Sequence, residues 1–372
     1  MNNKTTDILI VGGGVIGLSL AYELALSHLK VTLLERGQVG QESSFAGAGI
    51  LAPLAEMEEA GPLAQLMLAS RKIYPDFVRG VSSRASMSVE FNVSGLLHVA
   101  LTEAEHQELQ RRRERFSSLG LEVQQCSRDE TLQRESGLNQ ELLSALYFPE
   151  EGYVDNRELV EALRIACLRF GVKMVSGCQV TAVNVEGERT VGVESNLGRW
   201  LAGSTVIAAG CWSGQIDTGL GYPLPVKPAR GQLVAVKTPS PVLQHVIYCS
   251  QYYLVPRRDG RTLLGSTVEW VGYDKRVTLE AIQRITSAAV AMAPVLADAA
   301  FLDCWAGLRP YCEGGLPVLG SAESAGLYFA TGHFRNGLLL APITAKLMCE
   351  VIISGAIPKL IEPFGCGRFR AL

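Results

Sequence analysis

Gly12, Gly14 and Gly17 stand at the spacing G-x-G-x-x-G. They follow an apolar run, Ile8-Leu9-Ile10-Val11, and open a helix-like stretch. A second apolar run, Val31-Thr32-Leu33-Leu34, then ends on Glu35. Glycines in that order permit a tight turn off a strand, a close approach of backbone to a pyrophosphate, and packing of a helix against the strand. The helix start offers free N–H groups and a positive dipole end to an anion. Glu35 sits where a carboxylate accepts hydrogen bonds from ribose hydroxyls, and an acid rather than a base there argues against a 2′-phosphorylated cofactor. A glycine-rich turn of an unrelated α/β protein is the competing reading. Strand, glycines, helix, strand and acid in one unit of roughly 30 residues weigh against it. The unit by itself does not separate NAD from FAD.

A second small-residue stretch runs through Ser43, Ser44, Phe45, Ala46, Gly47, Ala48, Gly49 and Ile50. Small residues let backbone come near a flat ligand, and the two serines could donate to phosphate oxygens. A tightly packed helix start without a ligand fits the same letters. Near the other end, a strand at residues 327–331 meets Gly332-His333-Phe334-Arg335-Asn336-Gly337 and a helix from Leu338. This repeats strand, glycine turn, helix, and gives a second helix start able to meet a flavin oxygen.

The elements that position these groups follow from pattern. Residues 63–80 read as a helix and 86–101 as strands. Thr102-x-x-Glu105 and Ser127-x-x-Glu130 are capping boxes. The first opens a helix carrying Arg111-Arg112-Arg113, read as a solvated face. Asp155-x-x-Glu158 opens an amphipathic helix over 155–170. Strands follow at 172–175 and 180–183, and Thr205-Val206-Ile207-Ala208-Ala209-Gly210 suits a return into the nucleotide sheet. The proline-rich segment 223–241 marks a crossing between domains. Asp259-Gly260 predicts a two-residue hairpin turn. That register sets Tyr253 against Ser266 and Gln251 against Val268 on one face, and a one-residue slip would change the faces. Tyr253 is then either a pocket residue or an ordinary sheet aromatic. Residues 278–299 read as one helix, ended by Pro294 or soon after.

Composition excludes several classes. The chain has 372 residues, 48% of them hydrophobic, enough for two cores. With 34 basic against 37 acidic side chains there is no nucleic-acid surface to expect. Nine cysteines are scattered without C-x-x-C or metal-ligand spacing, so no metal is predicted and a reducing, cytoplasmic setting is. The first seven residues are polar and the strand after them is too short for a secretory segment. The apolar stretch 337–353 contains Pro342, Lys346 and Glu350, and is predicted as a buried helix rather than a membrane span.

Together the blocks carry a resemblance. The glycine turn with Glu35, the segment 43–50, Tyr253-Leu254-Val255-Pro256-Arg257, Trp305-Ala306-Gly307-Leu308-Arg309-Pro310 and the segment 332–342 are similar to the FAD-dependent amino-acid oxidases of the D-amino-acid oxidase superfamily, in its glycine oxidase branch associated with thiamine biosynthesis. The resemblance implies an α/β fold: a Rossmann-like FAD-binding domain with a discontinuous α+β substrate domain on a mixed, largely antiparallel sheet. The expected division is 1–85 with 151–222 and 303–372 for the FAD domain, and 86–150 with 223–302 for the substrate domain. By resemblance the FAD is lined by Gly12, Gly14, Val15, Ile16, Gly17, Glu35, Arg36, Ser43, Ser44, Ala48, Gly49, Ile50, Val180, His333, Phe334, Arg335, Asn336, Gly337, Leu338 and Leu339. Arg309 matches the arginine that holds the substrate carboxylate, Tyr253 the pocket tyrosine, and Arg335 the arginine of the distal loop. Ile50, Gln251 and Val268 would shape the side-chain pocket; the branch can carry histidine at the second and methionine at the third.

Cys312 gives no convincing match to the flavin-linking cysteine of the sarcosine oxidases, so FAD is expected to be non-covalent. The implied reaction takes hydride from Cα of a neutral amine to flavin N5. Water releases the oxo acid and ammonia, and molecular oxygen becomes hydrogen peroxide. The expected substrates are glycine, sarcosine or small D-amino acids, and the expected assembly is a homo-oligomer without nucleic acid or membrane. A dehydrogenase passing electrons to quinone, and a flavin-binding module without turnover, remain as alternatives.

Overall fold

The computed structural model describes residues 4–57, 59–121 and 123–370. Strand Thr5–Val11 is buried at its apolar end and pairs in parallel with Val31–Leu34 on one side and Trp200–Ile207 on the other. Lys173–Val175 and Leu327–Thr331 extend this parallel core, and three antiparallel strands complete an eight-stranded sheet. Fully buried strands of Val, Ile and Leu are what a parallel sheet covered by helices requires. The covering helices are Val15–Leu26, Pro62–Ala85, Asn156–Arg169 and Gly337–Ser354. The last is long and apolar enough to cross a membrane by composition, with mean hydropathy 1.7, yet 61% of it is buried in this core.

A second eight-stranded sheet runs Ala300–Cys312, Val226–Lys237, Arg261–Gly265, Tyr252–Pro256, Val246–Cys249, Leu96–Ala100, Ser144–Phe148, Gln124–Ser127. It is mixed and largely antiparallel, with one parallel pair between Val246–Cys249 and Leu96–Ala100. A three-stranded sheet of Ile50–Leu51, Gly152–Val154 and Phe91–Asn92 lies at the junction.

Both capping boxes are present, each hydroxyl accepting from the amide three residues on. Asp155 caps its helix through the amides of Arg157 and Glu158.

Several expectations are corrected. Strand Ala300–Cys312 pairs along its whole length with Val226–Lys237, so residues 303–312 lie in the second sheet and not with the nucleotide-binding elements. The helix expected to end at Pro294 or soon after spans Leu279–Met292 and stops just before that proline, because Ala293 precedes Pro294 and leaves the helical region. The hairpin register is Tyr253 opposite Gly265, not Ser266, and strand pairing stops before Val268. The loop holds three residues, Arg258, Asp259 and Gly260. Gly260 sits at φ +84°, its amide bonded to the Arg257 carbonyl, and the Asp259 carboxylate accepts from the Arg261 amide. A type I turn closed by a left-handed glycine is the next commonest solution to the two-residue turn. The arginine run is not uniformly solvated either. Arg112 shares a helix face with buried Leu109 and Phe116 and turns inward.

Candidate active site

One continuous cavity of about 780 Å³ begins at the first glycine turn and ends at the distal turn, passing across the second sheet. The turn is built by close approach. Gly12 has φ +113°, and a Cβ there would lie 2.3 Å from the Ala208 carbonyl oxygen. A Cβ at Gly17 would meet the Gly12 oxygen at 2.0 Å. Gly17 therefore lies behind the wall, holding helix to strand, and does not line the cavity; the same holds for Leu339, which is buried. The other residues expected around the cofactor all line it.

Glu35 is anchored by two amides: Gly13 donates to one carboxylate oxygen and Gly37 to the other, each at 2.8 Å. Its remaining lone pairs are left for ribose hydroxyls. Ser44 reaches back from the next segment, its Oγ accepting from the Val15 amide at 2.8 Å at the helix start. Its own proton remains available to an anion. Ser43 differs from expectation, since its hydroxyl donates to the Leu308 carbonyl. At the rim, the Arg36 guanidinium lies 3.7 Å over the Trp212 ring. Gly49, at φ +75°, permits contact with the Val154 carbonyl, and the fully buried Arg257 donates to the Ala48 carbonyl at 2.9 Å. Arg257 thereby ties the second sheet to the small-residue segment.

At the far end the distal turn is fastened to the strand that carries Arg309. The Phe334 amide donates to the Pro310 carbonyl at 2.9 Å, and His333 bridges to Tyr311. Phe334 adopts φ +49°, a left-handed conformation unusual for an aromatic residue and held by these contacts. His333 is buried with Nε2 3.1 Å from Thr344 Oγ1, and burial pushes it down to about 3, so the ring is neutral. Arg335 is exposed and lies over Phe334.

Arg309 donates to the Thr267 carbonyl at 2.9 Å and to Ser266 Oγ at 2.8 Å. Burial lowers its pKa from the usual arginine value, while its hydrogen-bonded neighbour Tyr253 opposes the shift. It stays cationic. The guanidinium fills space left by Gly231, where a Cβ would lie 2.1 Å from Nη1. Tyr253 lies across Gly265, which has no side chain to collide with its ring. Gln251 and Val268 also line the cavity, together with Ile50.

The wall holds further residues that the sequence did not single out: Gly231, Tyr248, Glu56, His98, Trp212 and, from the arginine run, Arg112. Arg112 had a legible signal in its spacing to Leu109 and Phe116. The others had none, because they meet only across elements distant in the chain.

The glycines admit a pyrophosphate, the acid a ribose, and two helix starts face one space. Residues 7–351 match the family model described as DAO, FAD dependent oxidoreductase. The chain belongs to this family. It is 37% identical over 373 residues to the bifunctional protein ThiO/ThiG of Synechocystis sp., covering 98% of this chain and 54% of that protein. It thus spans about half the length of that relative. It is 34% identical to the glycine oxidase of Pseudomonas aeruginosa, with 96% of each covered. The solved structure of glycine oxidase from Geobacillus kaustophilus superposes with TM-score 0.92 at 31% identity, covering 97% of this chain and 98% of that one.

FAD is the family's cofactor, and the residues present fit it. The Gly12 cradle is one that a Cβ would fill, and the cavity is continuous from the Glu35 carboxylate to the second helix start. Among the described residues no group of three or more His, Cys, Asp or Glu is arranged to hold a metal ion.

Proposed function

We propose that this chain oxidises glycine or another small amino acid, such as sarcosine or a small D-amino acid, to the oxo acid and ammonia, with FAD held non-covalently. When bound, FAD accepts the hydride from the substrate Cα and passes the electrons to molecular oxygen as hydrogen peroxide. The observation that carries the reading is Arg309, a half-buried guanidinium on the second sheet facing the cavity that also reaches the nucleotide turn.

Arg309 binds the substrate carboxylate as a two-pronged donor. Tyr253, hydrogen-bonded to it, closes the pocket above. Arg335, on the turn fastened to the same strand, adds positive charge at the distal rim. Ile50, Gln251 and Val268 bound the room for the amine substituent. Neutral His333 and the helix start at Gly337 place hydrogen-bond donors beside the cofactor end of the cavity. Cys312 lies outside the cavity lining, which supports a non-covalent flavin. The relatives named ThiO/ThiG support a place in thiamine biosynthesis, and the glycine oxidase relatives support oxygen as acceptor. A cytoplasmic homo-oligomer without membrane attachment completes the reading.

The test is direct. The purified protein should be yellow and should release peroxide with glycine or sarcosine in air. Flavin that is reduced only when a quinone or dye is supplied would replace oxidase by dehydrogenase. Flavin that no amino acid bleaches anaerobically would sink the proposal.

A further inference from the structure

Beyond Tyr253, counted from Arg309, the cavity wall changes character. Tyr248 is buried and stacks on Tyr253, with ring centroids 5.8 Å apart. Its hydroxyl donates to Glu56 Oε1 at 2.6 Å. His98 meets Tyr248 edge-on at 5.9 Å, and its Nδ1 has no hydrogen-bond partner. Burial and Arg112 push His98 down to about 3, so it contributes no charge. Glu105 and Glu108 line the same lobe with Arg112, and Glu108 is itself paired with Arg111 at 2.8 Å. Arg112 is committed to structure. It donates to the carbonyls of Leu54, Ala55 and Met57, which form the turn carrying Glu56. With Glu108 paired to Arg111, the lobe holds Glu56 and Glu105 against Arg112, while Arg309 and Arg335 make the carboxylate-binding end positive. None of this is needed to grip a carboxylate or seat a flavin.

We propose that Glu56, held in place by Tyr248, is a specificity residue. It receives a neutral hydrogen-bond donor at the end of the substrate away from Arg309, and rejects substrates bearing a second carboxylate. The inference rests on the reading of Arg309 as the carboxylate site. A cavity with opposite signs at its two ends favours a ligand of matching polarity, and an uncompensated like charge is an effective way to exclude a competitor.

The test uses the flavin-loaded protein and reads the shift of its visible band on titration with acetate and with malonate. The wild type should bind malonate more weakly than acetate. In Glu56→Gln the ratio of the two dissociation constants should move at least tenfold in favour of malonate. Tyr248→Phe keeps the carboxylate but frees it to swing, and should move the same ratio at least threefold. It serves alone if the first variant loses its flavin. A ratio that stays within threefold in the variants, both constants moving together, would mark a purely structural role and overturn the proposal. So would the absence of any band shift with either anion in wild type and variants. Anaerobic bleaching by glycine is a separate readout. Its failure would remove the proposed activity while leaving the anion ratio as a valid test of Glu56.

Discussion

A single guanidinium and the atoms around it carry most of the chemistry proposed here. Replacing Arg309 by Ala removes the half-buried cation proposed to hold the substrate carboxylate. Such a loss costs about 3 kcal/mol, roughly a hundredfold in affinity. The expected outcome is a Michaelis constant for the best amine substrate raised about that much, with flavin content unchanged; an unaltered constant refutes the role. Gly231 gives a subtler check. A Cβ there would lie 2.1 Å from Nη1 and 2.4 Å from Cζ of Arg309. These atoms end a flexible side chain, so Gly231→Ala should fold with nearly the wild-type Tm. Displacing the guanidinium by even an ångström should still lower kcat/KM by on the order of tenfold to a hundredfold. The expectation for Arg309 came from the resemblance of its flanking block to a known one. Gly231 was not legible, because its neighbour lies on another strand and a glycine in a strand has many explanations.

At the scale of elements, the turn at residues 54–57 depends on Glu151. This carboxyl is fully buried and accepts from the amides of Leu54 and Ala55. Burial pushes it up to about 8, although the amides, Arg71 and Arg112 pull the other way. The folded protein therefore binds this proton more tightly than the unfolded chain, whose glutamate titrates near 4.5. Its contribution is fully present below about 4.5 and is lost as pH rises towards 8. Glu151→Gln keeps an acceptor for both amides and cannot ionise. The difference in Tm between wild type and Glu151→Gln should thus grow against the wild type between pH 5 and 8, by thermal melts across that range; a constant difference refutes the shift.

Element placement was largely readable beforehand. The capping residues Thr102, Ser127 and Asp155 act at the positions their spacing implied, since a cap is a contact within four residues. The Asp259-Gly260 hairpin was off by one residue, because Asp-Gly serves both two- and three-residue loops and only pairing energy along both strands chooses between them.

Across the whole molecule, the cavity separates two sheets whose contacts include Arg257 reaching from one to the Ala48 carbonyl beside the other. A cofactor that fills this space binds only the folded chain. At about 100 times its dissociation constant FAD should add about 2.7 kcal/mol to stability. Stripped protein should therefore melt several degrees below the flavin-loaded form and recover on addition of FAD; equal melting points would place the cofactor elsewhere.

The sequence alone determined that a strand would turn through Gly12 and Gly14 into a helix with Glu35 beside the turn, and that the helix at 337–354 would be buried. Both depend on local spacing: a strand, a turn without side chains, a helix, an apolar period. Only the tertiary structure decided that strand 300–312 belongs to the second sheet and that Gly231 leaves room for Arg309. It alone set Glu56, Tyr248 and His98 in one wall with Arg112 behind them. Those relations join residues up to some two hundred positions apart, and the energies that select them come from packing and burial that no short stretch of chain contains.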